Sequence, residues 1–320
     1  MSVMKRNKLI WMAAVAAVAL GQASCLNSDS DFHDEAAPVR PGIYIYNAAH
    51  SQNEAAMQPA DVALRLAVLR AEAEKQGKTD DLNSVTVDGQ NVKTLLFGMY
   101  TQITEDESEA GTYVIEYRNS GGQRPYDIYS RTGTMRVKTQ GVALERTDAS
   151  KRWSVSLGSE KLAITGGSSV AVLSTGETEL YFEGGVCRIG FSNALSEADG
   201  RKASWSGDFE LTTEMKEGLS FSGLKDASFE LDGSARGTSF WSFNGTTSAA
   251  MSYTVTDGKY QPSRTGSPST IMGGTELCGL TSPMDYNPAD YPSSEVKVVW
   301  TVSGNMLSYA VTYNGTTVNF

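Results

Sequence analysis

Chemistry needs nucleophiles, acid–base groups or metal ligands, and this 320-residue chain supplies them unevenly. Histidine occurs twice, at His33 and His50. A Ser-His-Asp or Cys-His system requires a fixed imidazole. Only His50 lies in the body of the chain, and its sequence neighbours do not suggest catalysis. Zinc sites rich in His or Cys lack ligands for the same reason, and no Walker-type or dinucleotide-type Gly-rich loop occurs. The expectation is therefore no catalytic residue, no metal and no cofactor. Carboxylates are plentiful, 37 against 27 Lys plus Arg. Glycoside hydrolysis by a pair of acids is thus open to this composition, but surface solvation is the simpler use of those groups. Asp80, Asp81 and Asp88 offer oxygen ligands for calcium, with a spacing that fits no EF-hand loop. The net charge of −10 repels phosphate backbones, so nucleic acid is not expected as a partner.

Three cysteines and a few aromatics remain. Cys187 and Cys278 could form a disulfide in an oxidising compartment, or stay as two buried thiols acting as small hydrophobes. Which holds depends on whether their Cα atoms approach within about 7 Å. Phe240-Trp241-Ser242-Phe243 puts bulk on both faces of a strand. The irregular stretch from Met284 to Pro292 carries Tyr286 and Tyr291 beside Asp285 and Asp290. Trp241, Tyr286 and Tyr291 are the candidate ligand contacts. Exposed and side by side, they would stack on the apolar face of a sugar. Alternatively, the loop is an Ω-loop whose tyrosines pack on their own scaffold.

The third cysteine is Cys25. Before it, Lys5, Arg6 and Lys8 head an apolar run from Leu9 to Leu20, and small residues lead to Ala23-Ser24-Cys25. This is the three-part layout of a secretory signal peptide. The apolar run is too short to cross a bilayer, which takes about 20 helical residues. Ala23-Ser24-Cys25 resembles a lipobox, with Gln22 departing from its usual aliphatic residue. Ordinary cleavage after Ala23, leaving Cys25 a spare thiol, is the alternative. Asp29, Asp31, Asp34 and Glu35 follow, and an acidic stretch just after an acylated cysteine is similar to that of surface lipoproteins of the Bacteroides type. The resemblance covers only about the first 35 residues. It implies lipid attachment at Cys25 and a place at the outer membrane or cell surface.

The elements behind these residues read as mostly β. One amphipathic helix is expected over 59–76, with Val62, Leu66, Leu69 and Ala73 on one stripe, widened by Leu64 and Val68, and with Pro59 in the first turn. It should lie flat on a sheet. Strand-like alternation follows: Met135 and Val137; Trp153, Val155 and Leu157; Leu162 and Ile164; Cys187, Ile189 and Phe191; Phe209 and Leu211; Phe229 and Leu231. Leu95–Thr104 and Thr112–Arg118 should flank an acidic turn. Asp88-Gly89, Asp199-Gly200, Asp232-Gly233, Asn244-Gly245, Asp257-Gly258 and Asn314-Gly315 have the chemistry of tight hairpin turns. The C-terminus should be a three-stranded meander, and about fifteen strands are expected in all.

The division is 1–24 signal peptide, 25–42 flexible tether, 43–140 helix plus strands, and 141–320 all-β; 43–320 could equally be one domain. The fold class is an antiparallel sandwich or barrel-like stack of sheets with one N-terminal helix. The function expected is a membrane-anchored binding or structural module, its partners a membrane and a glycan or protein ligand. A glycan-binding accessory protein, a fimbrial or adhesion subunit, a carboxylate-only enzyme and a transmembrane barrel are the rivals.

Overall fold

The computed structural model describes residues 36–118, 129–158, 161–166, 169–198, 201–213, 219–221, 223, 229–239, 241–244, 248–261, 270–303 and 306–320. The signal peptide, Cys25 and the tether up to residue 35 lie outside these, as do Phe240 and the Asp199-Gly200 and Gly304-Asn305 pairs.

The helix expected over 59–76 is twice that length. It runs as α1 from Arg40 to Gln76, with Pro59 inside it, and follows a 3-10 turn at Ala37–Val39. Residues 37–42, read as the end of the tether, are therefore helical, and Val39 is fully buried. The reason is visible in the burial. Ile45, Ala48, Ala55, Ala56, Val62, Leu66 and Leu69 are all fully buried, and Asn47, Gln52, Asn53, Gln58 and Arg65 are buried with them. A helix covered on all sides shows no apolar stripe. Each fully buried Ile, Val or Leu contributes about 1.5–3 kcal/mol, so packing outweighs the internal proline. Gly77 ends α1 at φ +64°, where its N–H and that of Lys78 reach back to Ala73 O, a Schellman-type stop.

After a two-stranded ribbon, β1 (Thr86–Val87) and β2 (Gln90–Asn91), comes a short helix, α2 (Val92–Phe97). The Asn91 side chain caps it, accepting from Thr94 N at 2.7 Å. Leu95–Phe97, expected as strand, are helical for that reason.

One antiparallel sheet takes the rest: β3 (Thr101–Glu105), β4 (Thr112–Tyr117), β5 (Ser130–Lys138), β6 (Trp153–Leu157), β7 (Leu162–Gly166), β8 (Ser169–Glu183), β9 (Val186–Ala198), β10 (Arg201–Thr213), β11 (Phe229–Ser239), β12 (Ala249–Gln261), β13 (Thr270–Leu280), β14 (Glu295–Ser303), β15 (Met306–Tyr313) and β16 (Thr316–Asn319). Neighbours in sequence are neighbours in the sheet, except that β7 pairs with β5 and β8 beside β6. The sheet is barrel-like. It curls round α1, which touches β6 and every strand from β8 to β15. Among the described residues β3 and β16 are its two ends and do not pair. Of the alternating residues expected inside, Val155, Ile164, Cys187, Ile189, Phe209 and Leu231 are buried, while Leu157 and Phe229 are half-buried against the core. The meander β14–β15–β16 is present, with Asn314-Gly315 at its second turn.

Two of the expected turns are something else. Asp232-Gly233 lies within β11 and Asp257-Gly258 within β12, at register shifts. Their turn-like backbone serves β-bulges, which bend a sheet. Gly233 has φ +154°, and a Cβ there would sit 2.5 Å from Asp208 O; Gly274 has φ +106°, with its Cβ 2.5 Å from Asp257 O. At both, the neighbouring strand's backbone occupies the space a side chain would need. Gly274→Ala should therefore cost more than about 2 kcal/mol. Gly315→Asn, at φ +77° in open space, should stay within about 0.5 kcal/mol. Urea unfolding of both variants checks the pair.

Candidate functional site

The densest chemistry lies between α1 and the sheet. Tyr46, His50, Glu54 and Gln58 are four residues apart, so they line one helix face. Glu276, on β13, reaches this face and is fully buried. Its Oε2 accepts from Tyr46 Oη at 2.7 Å and Trp300 Nε1 at 2.7 Å. Its Oε1 accepts from Tyr253 Oη at 2.5 Å and lies 2.9 Å from His50 Nδ1. On its other side His50 Nε2 lies 3.4 Å from Glu54 Oε1, which also accepts from Tyr129 Oη at 2.8 Å. An imidazole held between two carboxylates donates from both nitrogens, so it is the imidazolium.

Burial alone would lower the His50 pKa, but Glu276 and then Glu54 outweigh it and hold it well above the ordinary 6.5. Burial likewise opposes the Glu276 charge, but His50 and the Tyr253 and Tyr46 hydroxyls hold its pKa below the usual 4.5. The phenols of Tyr46 and Tyr129 are raised, by burial and then by Glu276 and Glu54 respectively. A carboxylate offers about four acceptor sites, and all four on Glu276 are taken. The cluster is built to hold the helix, not to hand a proton to a substrate.

This arrangement has a pH signature. Glu276, with its depressed value, contributes fully above 4.5 and loses its contribution as pH falls through its lower native value. His50, with its raised value, contributes fully below 6.5 and loses its contribution as pH rises through its higher native value. The difference in Tm between wild type and His50→Phe should be widest near about pH 5–6 and shrink toward alkaline pH. A difference constant with pH would contradict the assignment.

The same helix is fastened elsewhere. Gln52 Nε2 donates to Ser196 Oγ at 2.7 Å, and Asn53 Oδ1 accepts from Trp205 Nε1 at 3.2 Å. Arg131, fully buried on β5, donates to Gln58 Oε1 at 3.0 and 2.6 Å and to Asp61 Oδ2 at 2.8 Å. Nearer its C-terminal end, Glu72 Oε1 accepts from Phe221 N at 2.8 Å.

The residues singled out from sequence are placed as follows. Cys187 on β9 and Cys278 on β13 are free thiols, not a disulfide, and β10, β11 and β12 lie between them. Burial pushes the Cys187 thiol up to about 12 and raises Cys278 as well, with Glu276 adding to the latter, so both are poor nucleophiles. Trp241, Tyr286 and Tyr291 are half-buried against the core. Tyr291 meets Phe243 edge-on at 5.2 Å, and Tyr286 forms a bridge with Phe243. These tyrosines pack on their own scaffold. Asp81 caps a 3-10 turn through Asn83 N. The carboxylates that do converge are Glu230, Asp232 and Asp257, with oxygens all within 4.8 Å of one another.

Outside, β8 to β12 form a shallow groove of about 750 Å³. Glu177, Asp208 and Arg236 share it with the hydroxyls of Ser206, Ser234 and Thr254. Alternation alone puts those residues outward, but their meeting depends on strand register. No helix among the described residues is long and apolar enough to cross a membrane. Compared with known proteins, the chain matches no family model, no curated protein and no solved structure.

Proposed function

We propose that this chain is a lipid-anchored extracytoplasmic protein, held at the outer membrane or cell surface through Cys25, and that its body is a binding or structural module. The observation that carries the reading is the ordered run at the N-terminus: basic head, apolar Leu9–Leu20, small residues, Cys25 and an acidic stretch. The body begins soon after. Ten residues lie between Cys25 and Ala36, a reach of about 40 Å at most when extended. The fold gives the reading its second support. The space inside the sheet is occupied by α1, whose polar side chains are bonded to the surrounding strands, so partners meet the outside of the sheet. Acyl chains contribute about 0.8 kcal/mol per buried methylene, and more than one is needed for stable anchoring.

Cell fractionation of wild type and Cys25→Ala tests it. Wild type should sediment with membranes and enter the detergent phase on phase partitioning. Cys25→Ala should move to the soluble fraction with its fold unchanged. Equal partitioning of the two would overturn the anchor.

Glycan binding is the second reading, and it now draws on the outer groove instead of the 284–292 loop. Carboxylates, hydroxyls and a guanidinium suit a hydroxyl-rich ligand. A glycan array with no hits, or hits unchanged by Asp208→Ala with Arg236→Ala, would remove it.

A further inference from the structure

Among the described residues Lys93 is a buried cation without a counter-charge. It stands on α2 at 8% exposure. Its Nζ donates to two backbone carbonyls, Gly98 O at 3.5 Å and Met99 O at 3.1 Å. No carboxylate joins them among the described residues. A buried ammonium needs an opposite charge far more than it needs two carbonyls, and its pKa is lowered by that burial. The two carbonyls explain a donor at this position. They do not explain a charge, since an amide could make the same bonds.

Lys93 also lines a pocket of about 470 Å³ beside β3, within the size range of small-molecule sites. Among the described residues its wall carries a second cation, Arg118, and no acid, in a chain whose net charge is −10. Arg118 is held by Glu116 through Nε at 2.6 Å and Nη2 at 2.7 Å. Those two charges cancel, so the described residues leave the pocket one net positive charge, that of Lys93. The same pocket is lined by Met99, 69% exposed, and Tyr100, 62% exposed. They are two of the few large apolar side chains left in the open. Asn83 and Gln102 complete the polar rim.

We infer that this pocket binds a small organic monocarboxylate, its carboxylate on Lys93 Nζ and its apolar body against Tyr100 and Met99. One net charge matches a carboxylate better than a phosphate dianion, and the exposed ring and thioether give the body a surface to cover. The site does not depend on the state of Cys25.

The test is titration calorimetry of the full chain with benzoate and hexanoate, beside the uncharged benzamide and hexanol. At least one acid should bind saturably, at least tenfold more tightly than its neutral counterpart. Lys93→Gln, which keeps a donor for the two carbonyls but loses the charge, should weaken that acid at least tenfold. Lys93→Met should do the same while keeping or raising Tm, because it removes an unpaired buried charge. Tyr100→Ala lies on the surface and cannot disturb the core; it should weaken benzoate at least threefold. No saturable binding by either acid, or losses smaller than these, would overturn the site.

Discussion

Glu276→Gln should lower the melting temperature by about 6–15 °C, the equivalent of roughly 3–5 kcal/mol for breaking a buried ion pair in a domain of this size. The reason is the set of donors it leaves behind. Tyr46, Tyr253, Trp300 and His50 all converge on the carboxylate of Glu276. An amide supplies one oxygen, and its NH2 would face groups that are themselves donors. At least one buried donor loses its acceptor, and the imidazolium of His50 loses its stronger counter-charge. The loss should be non-additive with His50→Phe, by about 1–3 kcal/mol, because the two groups touch. Denaturant unfolding of the two single variants and the double variant measures that coupling. Simple additivity would mean that the pair does not act as a unit.

Arg131→Ala should cost a comparable amount, on the order of 3–5 kcal/mol. The guanidinium is fully buried, yet it faces the helix as a fork, with two bonds to Gln58 Oε1 and one to Asp61 Oδ2. It also lies 5.8 Å from the ring centre of Tyr117 and 5.5 Å from that of Tyr129. Truncation opens a cavity and orphans Gln58 Oε1 together. Arg131→Met should recover part of the loss, since it refills the cavity and Asp61 keeps Arg65 Nε at 2.8 Å. Arg131→Lys should recover less, because a point charge cannot span both acceptors. If thermal melts rank Lys above Met, the fork geometry is not what matters there.

Both predictions concern long-range pairs, and these are what a sequence hides. The alternation of Cys187, Ile189 and Phe191, or of Val296, Val298 and Trp300, is a local property and fixes which side faces in. It therefore identified the antiparallel, mostly β fold. The same alternation puts Glu276 in phase with Cys278 and Leu280, so a carboxylate on the inner face could have been noticed there. Its partner could not, because His50 is 226 positions away. The first half of α1 was missed for a related reason. Asn47, Ser51, Gln52 and Asn53 break any apolar stripe, and only the surrounding strands explain how they can be buried. The Asp-Gly pairs at 232–233 and 257–258 have turn chemistry in the sequence, yet both lie at bulges within strands. Turn and bulge use the same φ > 0 residues, and only register separates them. The Lys93 pocket carried no sequence signal, since a lysine in a short helix is ordinarily solvated. The Ω-loop reading of 284–292 anticipates that Tyr286 and Tyr291 pack on their own scaffold; that Phe243 is their partner depends on long-range contacts.

The anchor is the claim on which the placement of the whole molecule rests, and mass spectrometry of the N-terminal peptide from membrane-purified protein tests it most directly. The purified chain should begin at Cys25, with residues 1–24 removed and acyl chains added to that cysteine. A chain beginning at Ser24 with a free thiol, or one retaining its leader, would contradict it.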